Sequence, residues 1–164
     1  MVLFSEAEFS GGKVRFVDAK FSGGTVSFAQ AKFSGGTVDF VRAKFSGGLA
    51  DFSAEFLGGR VEFGSEFSGG TVRFARANFS GGTARFVRAK FSGGTVDFSG
   101  ANFSDGVVRF FGAEFTGGSA SFVGAEFSGG AVEFPGVAFF CDVHGPWPGV
   151  HPPKRWPPFA PSDS

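Results

Sequence analysis

Val26-Ser-Phe28-Ala-Gln-Ala31-Lys-Phe33-Ser-Gly-Gly-Thr37 is one copy of a pattern that returns every twelve residues to about position 139. A fixed short period is the mark of a solenoid, in which each unit buries its apolar face only against its neighbours. Within the unit, Val26 and Phe28 are two apart, as are Ala31 and Phe33, with Ser27 and Lys32 between them. Period two is the strand period, so Val, Phe, Ala and Phe face inward while the intervening residues face solvent. The inward types hold steady and the outward ones vary: Arg15, Ser27, Asp39, Asp51, Glu62 and Arg73 in one series, Lys20, Lys32, Lys44, Glu55, Glu66 and Asn78 in the other. Two adjacent glycines would cost about 2 kcal/mol against alanine inside a helix. The recurring Ser-Gly-Gly therefore marks a turn that needs positive φ, at Gly23-Gly24, Gly35-Gly36, Gly81-Gly82 and Gly93-Gly94.

Two units, holding Phe52 to Phe56 and Phe63 to Phe67, are one residue short, and both lose it between the first Phe and the Ala-type slot (Ser53-Ala54-Glu55, Gly64-Ser65-Glu66). A deletion that spares the inward positions marks that segment as a connection. Asp105-Gly106 replaces a glycine pair, and aspartate is expected there because it tolerates the left-handed region. The chain has 27 Phe, 28 Gly and no Tyr in 164 residues, which implies one slot shape used many times. Fifteen basic and fifteen acidic residues cancel, so no overall field recruits nucleic acid or an anionic membrane. The single cysteine, Cys141, fits a reducing compartment. No run approaches about 18 apolar residues and no leader precedes the repeat, so a cytoplasmic location is expected.

Read in fives, Val38-Asp-Phe40-Val-Arg42 and Ala43-Lys-Phe45-Ser-Gly47 each place a small residue two before a central Phe. This resembles the pentapeptide-repeat family over roughly residues 2 to 139, with a Gly-Thr-like pair added after every second pentapeptide. The resemblance implies an all-β, right-handed, parallel β-solenoid. Two coils fit the twelve-residue period. A four-sided coil of about 24 residues would give about six turns; a flattened two-sided coil of about 12 residues would give eleven or twelve, rising about 4.8 Å each. Phe-x-x-Ala leaves little chain to reverse direction, and the shorter coil would set Lys20, Lys32 and Lys44 in one like-charged stack. Both considerations favour four sides.

The domain reading is a solenoid over 1–139 and a Pro- and aromatic-rich cap and tail over 140–164, since the pattern fails from Pro135 onward and proline ends sheet growth. The segment to Trp147 is expected to cover the last coil, and Pro152 to Pro158 to be an extended tail. Val2, Leu3 and Phe4 occupy the inward pattern without a cap, an end suited to self-association and so to a homo-oligomer. Cys141, His144 and His151 lack the paired spacing and fourth ligand of a zinc site, so neither metal nor cofactor is expected. The carboxylates Asp39 with Asp51, and Glu55 with Glu66, invite a general-acid reading, but solvated faces explain them and no enzyme activity is expected. Arg73, Arg76, Arg85, Arg88 and Lys90 form a candidate partner-binding basic patch. The expected function is a non-catalytic structural or protein-interaction scaffold with an unidentified protein partner and no nucleic acid or membrane. The alternative implied by the family is DNA mimicry toward a topoisomerase such as DNA gyrase, which the neutral charge disfavours. Surface binding through Thr25, Thr37, Thr71, Thr83 and Thr95 is a third reading.

Overall fold

A computed structural model describes the backbone of residues 1–144 and the side chains to Val137. Its described residues form short parallel strands without a helix, so none contains a helix long and apolar enough to cross a membrane. The pairing decides the coil: Val2 stands over Val26 and Val26 over Ala50, so one turn takes 24 residues and about six turns stack. The coil is four-sided. The first face runs through Val2–Leu3, Thr25–Ser27, Leu49–Asp51, Thr71–Arg73 and Thr95–Asp97, ending in Glu114–Ser121. The second carries Glu8–Phe9, Lys32–Phe33 and Glu55–Phe56, continued by single bridges at Asn78, Asn102 and Glu126. The third carries Lys13–Arg15, Thr37–Asp39, Arg60–Glu62, Thr83–Arg85, Val107–Arg109 and Ala131–Glu133. The fourth carries Lys20–Phe21, Lys44–Phe45, Glu66–Phe67 and Lys90–Ser92, then the start of Glu114–Ser121.

Each face sends one Phe per coil inward, so four columns of rings fill the tube. Phe28 lies over Phe52 at 5.1 Å, Phe33 over Phe56 at 4.9 Å, Phe40 over Phe63 at 5.4 Å and Phe45 over Phe67 at 4.9 Å, all nearly parallel. Strand spacing of about 4.8 Å sets this ring spacing. Across the tube the first and third columns meet edge to face, Phe28 against Phe40 at 5.3 Å and 90°. That arrangement lets the positive ring edge meet the negative face. Val or Ala two positions earlier fills the space beside each ring, and Val26, Ala31, Val38 and Ala43 are all buried.

Two kinds of corner alternate. Phe-x-x-Ala closes with the Ala N–H donating to the Phe carbonyl, Ala31 to Phe28 at 3.0 Å. Its third residue is left-handed although it is not glycine: Gln30, Arg42, Arg76 and Arg88 have φ between 56° and 60°. Each donates its N–H to the next coil, as Arg76 does to the Ser99 carbonyl at 2.9 Å. The second residue's N–H lies outside that ladder and is capped from two residues back, Val41 by Asp39 at 3.0 Å and Ser99 by Asp97 at 2.9 Å.

The Gly-Gly corners differ from one another. Both glycines are left-handed between the fourth and first faces, as at Gly23 and Gly24, whereas between the second and third faces Gly36 and Gly82 are left-handed and their predecessors are not. This corrects the expectation for Asp105, which takes the place of such a predecessor and has no positive φ.

The structure makes further corrections. Pro135 does not stop the ladder: it takes the second place of a Phe-x-x-Ala-type corner, where no ladder N–H is needed, and its carbonyl accepts from Gly112 at 3.0 Å. The strand Ala138–His144 then pairs with Glu114–Ser121, so the coil crosses the expected boundary at 139. Lys20 and Lys44 remain stacked on the fourth face; the longer coil removes Lys32 to the second. Trp147, His151 and the proline-rich tail lie outside the described residues.

Candidate interaction surfaces

Because the repeat is half a coil, residues twelve apart point to opposite sides. The five basic residues of the expected patch are accordingly divided. Arg73 lies on the first face and Arg76 on the corner after it; Arg85 lies on the third face, Arg88 on the following corner and Lys90 on the fourth face. Arg73 stands between Asp51 and Asp97 in its ladder, with its guanidinium 3.4 Å from Asp51. Arg85 bonds Glu62 at 3.0 Å. Arg76 and Arg88 are exposed and have no ion pair among the described residues.

The same half-coil rule separates Asp39 from Asp51 and Glu55 from Glu66, which lie on different faces and make no carboxylate pair. It also divides the threonines, with Thr25, Thr71 and Thr95 on the first face and Thr37 and Thr83 on the third. Cys141 and His144 fall on the last strand, while His151 lies beyond the described residues. At the first coil, Val2 and Leu3 are exposed and Phe4 stacks on Phe28 at 4.8 Å.

The corner between the third and fourth faces carries the best-formed surface ion pair. Arg42 grips Asp18, one coil earlier, through Nε at 2.7 Å and a terminal nitrogen at 2.8 Å. That hydrogen bond holds the Asp18 carboxyl below its ordinary value of 3.8 and raises Arg42. The stabilisation is therefore present above the unfolded-state value and is lost as pH falls through the lower folded one. An NMR titration is expected to place the Asp18 midpoint below 3.8, with Arg42→Gln returning it toward that value. An unchanged midpoint in Arg42→Gln would show that the pair does not form in solution.

The two short units fall in the same coil, the third, whose turn from Ala50 to Val72 takes 22 residues. Their missing residues lie at opposite corners, with different consequences. The corner between the first and second faces opens a cavity of about 670 Å³ lined by Gln30, Asp51, Ser53, Glu55, Arg73 and Arg76 among others. The Ser53 Oγ is buried there without a hydrogen-bond partner. The opposite corner, at Gly64 between Arg42 and Arg88, is filled instead: a Cβ added to Gly64 would come 3.1 Å from the Val87 carbonyl and 3.7 Å from Val41 Cγ2. Ser65, buried in the Ala slot below it, donates to the Phe40 carbonyl at 2.6 Å. The sequence reading placed the deletions in loops but not their opposition, and it missed the left-handed corner residues. The signal was present: the equivalent places in later coils are Gly100, Gly112, Gly124 and Gly136.

The family model for pentapeptide repeats matches residues 4–55 in nine copies. No curated protein matches the sequence. Among solved structures, the chain is similar to HetL, a pentapeptide repeat protein involved in heterocyst differentiation regulation from the cyanobacterium Nostoc sp. strain PCC 7120. The identity is 12%, over 83% of this chain and 88% of that one, with a TM-score of 0.18.

Proposed function

We propose that this pentapeptide-repeat chain acts as a non-catalytic scaffold whose side faces hold a protein partner. The observation that carries the reading is the division of labour in each coil. Inward positions repeat Phe and Val or Ala from coil to coil, whereas the stacked outward positions change, for example Ser27, Asp51, Arg73, Asp97 on the first face. A rigid core that presents a varied ladder suits recognition, in which charge pattern fixes register and partner choice. The two histidines of the chain come at and beyond the end of the last strand, His144 and His151, which leaves residues 1–143 without an imidazole base. The single cysteine supports a reducing, cytoplasmic setting. Interleaved signs on each face argue against duplex mimicry, which requires a continuous negative surface, and a DNA supercoiling assay is expected to show no effect of equimolar protein.

The test is capture from native extract at low and high salt with the tagged full chain and two charge-reversed variants. Arg73→Glu with Arg76→Glu alters one side; Arg88→Glu with Lys90→Glu alters the other. One variant is expected to lose a salt-sensitive partner that the other retains. Equal retention by both, or no partner at all, would overturn a side-face role.

A further inference from the structure

The corner between the third and fourth faces carries an apolar ridge that the fold does not require. The second place of each Phe-x-x-Ala corner follows the inward ring and lies on the outside of the tube. Where the first and second faces join, that place holds Ser5, Ala29, Ser53, Ala75, Ser99 and Val123. Where the third and fourth join, it holds Val17, Val41, Gly64, Val87, Phe111 and Pro135, without one polar side chain. Val17, Val41 and Val87 are partly exposed, Pro135 is exposed and Phe111 is 53% exposed. Gly64 does not break the ridge, because Val41 and Val87 fill the space beside it. Five coil steps of about 4.8 Å make the ridge about 24 Å long. A contiguous apolar strip of this kind on an outer edge marks an interaction surface.

The neutral total hides a lateral division of charge that coincides with this ridge. Between Glu6 and Glu133, the third and fourth faces with the corner joining them carry ten basic and six acidic side chains, a net of +4. The first and second faces with the two corners flanking the second carry three basic and seven acidic, a net of −4. On the basic side, four of the six acids are already held by cations: Asp18 by Arg42, Glu66 by Lys44, Glu62 by Arg85 and Glu133 by Arg109. Lys13, Arg15, Lys20, Arg88 and Lys90 have no ion pair among the described residues. The apolar ridge is therefore flanked by uncompensated positive charge.

We propose that this corner docks on an anionic lipid surface, with the ridge set into the headgroup layer and the flanking cations on the lipid phosphates and carboxylates. The inference goes beyond the protein-partner reading and adds a second kind of contact. Surface-bound amphipathic elements combine an apolar strip with flanking Lys and Arg in this way, and their binding grows with both. The total charge of zero does not oppose it. At physiological salt the screening length is about 8 Å, so a membrane feels the near side of the rod rather than its sum. The acidic far side turns the ridge toward a negative surface. Shape favours lipid as well, since a deformable layer can follow a convex edge along its length, whereas a nucleic acid would use the cations and leave the ridge idle.

Co-sedimentation of the full chain with lipid vesicles reads the contact directly. The chain is expected to sediment with vesicles of phosphatidylcholine and phosphatidylserine in equal parts at about 0.1 M salt, and to stay in solution with phosphatidylcholine alone. Binding to the mixed vesicles should fall away at about 1 M salt, where the screening length drops from about 10 to about 3 Å. Arg88→Glu with Lys90→Glu should lower the affinity at least about 25-fold, at roughly fivefold for each cation lost. Phe111→Ser should lower it about fivefold, as expected for a half-exposed ring. Val123→Ser, on the acidic side and 54% exposed, should leave it unchanged. Serine already occupies the same corner place at Ser99, so both single variants keep the fold. A wild type that ignores the mixed vesicles at about 0.1 M salt overturns the proposal, as does an Arg88 and Lys90 variant that binds them equally well. Equal effects of Phe111→Ser and Val123→Ser would show that the ridge does not enter the lipid and would overturn it too. A charge-sensitive shift with duplex RNA from a chain that ignores the vesicles would assign this side to a polyanion instead. The vesicle assay contains no protein partner, so its failure is distinct from failure of the scaffold reading.

Discussion

Gly82→Ala is expected to destabilise the solenoid by about 3 kcal/mol or more, and Gly69→Ala by about 1 to 2 kcal/mol. Both residues are left-handed, with φ of 64° and 85°, so both substitutions carry the conformational cost of a side chain at positive φ. What differs is the neighbouring coil. A Cβ on Gly82 would lie 2.6 Å from the Gly58 carbonyl oxygen and 2.7 Å from that of Gly59, whereas one on Gly69 would meet nothing within 4 Å. The colliding atoms are backbone, and they are held by the hydrogen bond from Thr83 to the Gly59 carbonyl at 2.9 Å. Relief therefore requires the coils to separate. Denaturant unfolding of the two variants measures the difference, and equal losses would mean that the corners do not stack as described.

Phe63→Ala is expected to lose about 3 to 5 kcal/mol, in the upper range for buried aromatic truncations. The ring is fully buried, stacked between Phe40 and Phe86 at 5.4 and 4.8 Å, with Phe52 and Phe74 edge-on at 4.9 and 5.3 Å. Each of these partners is itself stacked on a further ring, so the backbone ladder prevents collapse into the space. Phe4→Ala should cost far less, because Phe4 is partly buried and stacks on one side alone, against Phe28. In a one-dimensional array an end unit has one neighbour and an inner unit two. Comparable unfolding midpoints for the two variants would count against a continuous core.

How much of this was legible in the sequence follows from what a repeat records. Period two within Val26 to Phe33 and the Gly-Gly punctuation specify strands, turns and inward residues, and those inward residues are the buried ones. The coil length was not specified, because the twelve-residue unit is half of the 24-residue turn and the two halves are chemically alike. Every surface error descends from that degeneracy. Residues such as Arg73 and Arg85 look adjacent in a twelve-residue register and stand on opposite sides in a 24-residue one. The stacked lysines were a partial guide: Lys20 does stack on Lys44, so like charge alone does not exclude a register. The Lys44 amine instead finds Glu66 of the next coil at 3.2 Å. Pro135 misled for a local reason, since the rule that proline breaks a ladder applies to ladder positions, and Pro135 occupies a corner place with no ladder N–H. The cavity beside Ser53 was invisible because a deletion reads as a shorter loop, whereas its consequence depends on what the neighbouring coils place beside it.

The four-sided coil underlies every surface assignment, and disulfide trapping tests it most directly. With Cys141→Ser as background, cysteines are placed at 20 and 44 in one variant and at 20 and 32 in another. Neighbouring strands lie about 4.8 Å apart, within the range a disulfide spans. Lys20 and Lys44 are direct partners on the fourth face, while Lys32 is on the second. The 20–44 pair is expected to oxidise to an intramolecular disulfide in the folded protein and the 20–32 pair to remain reduced; formation of the 20–32 bond in place of 20–44 would contradict the four-sided coil and every surface derived from it.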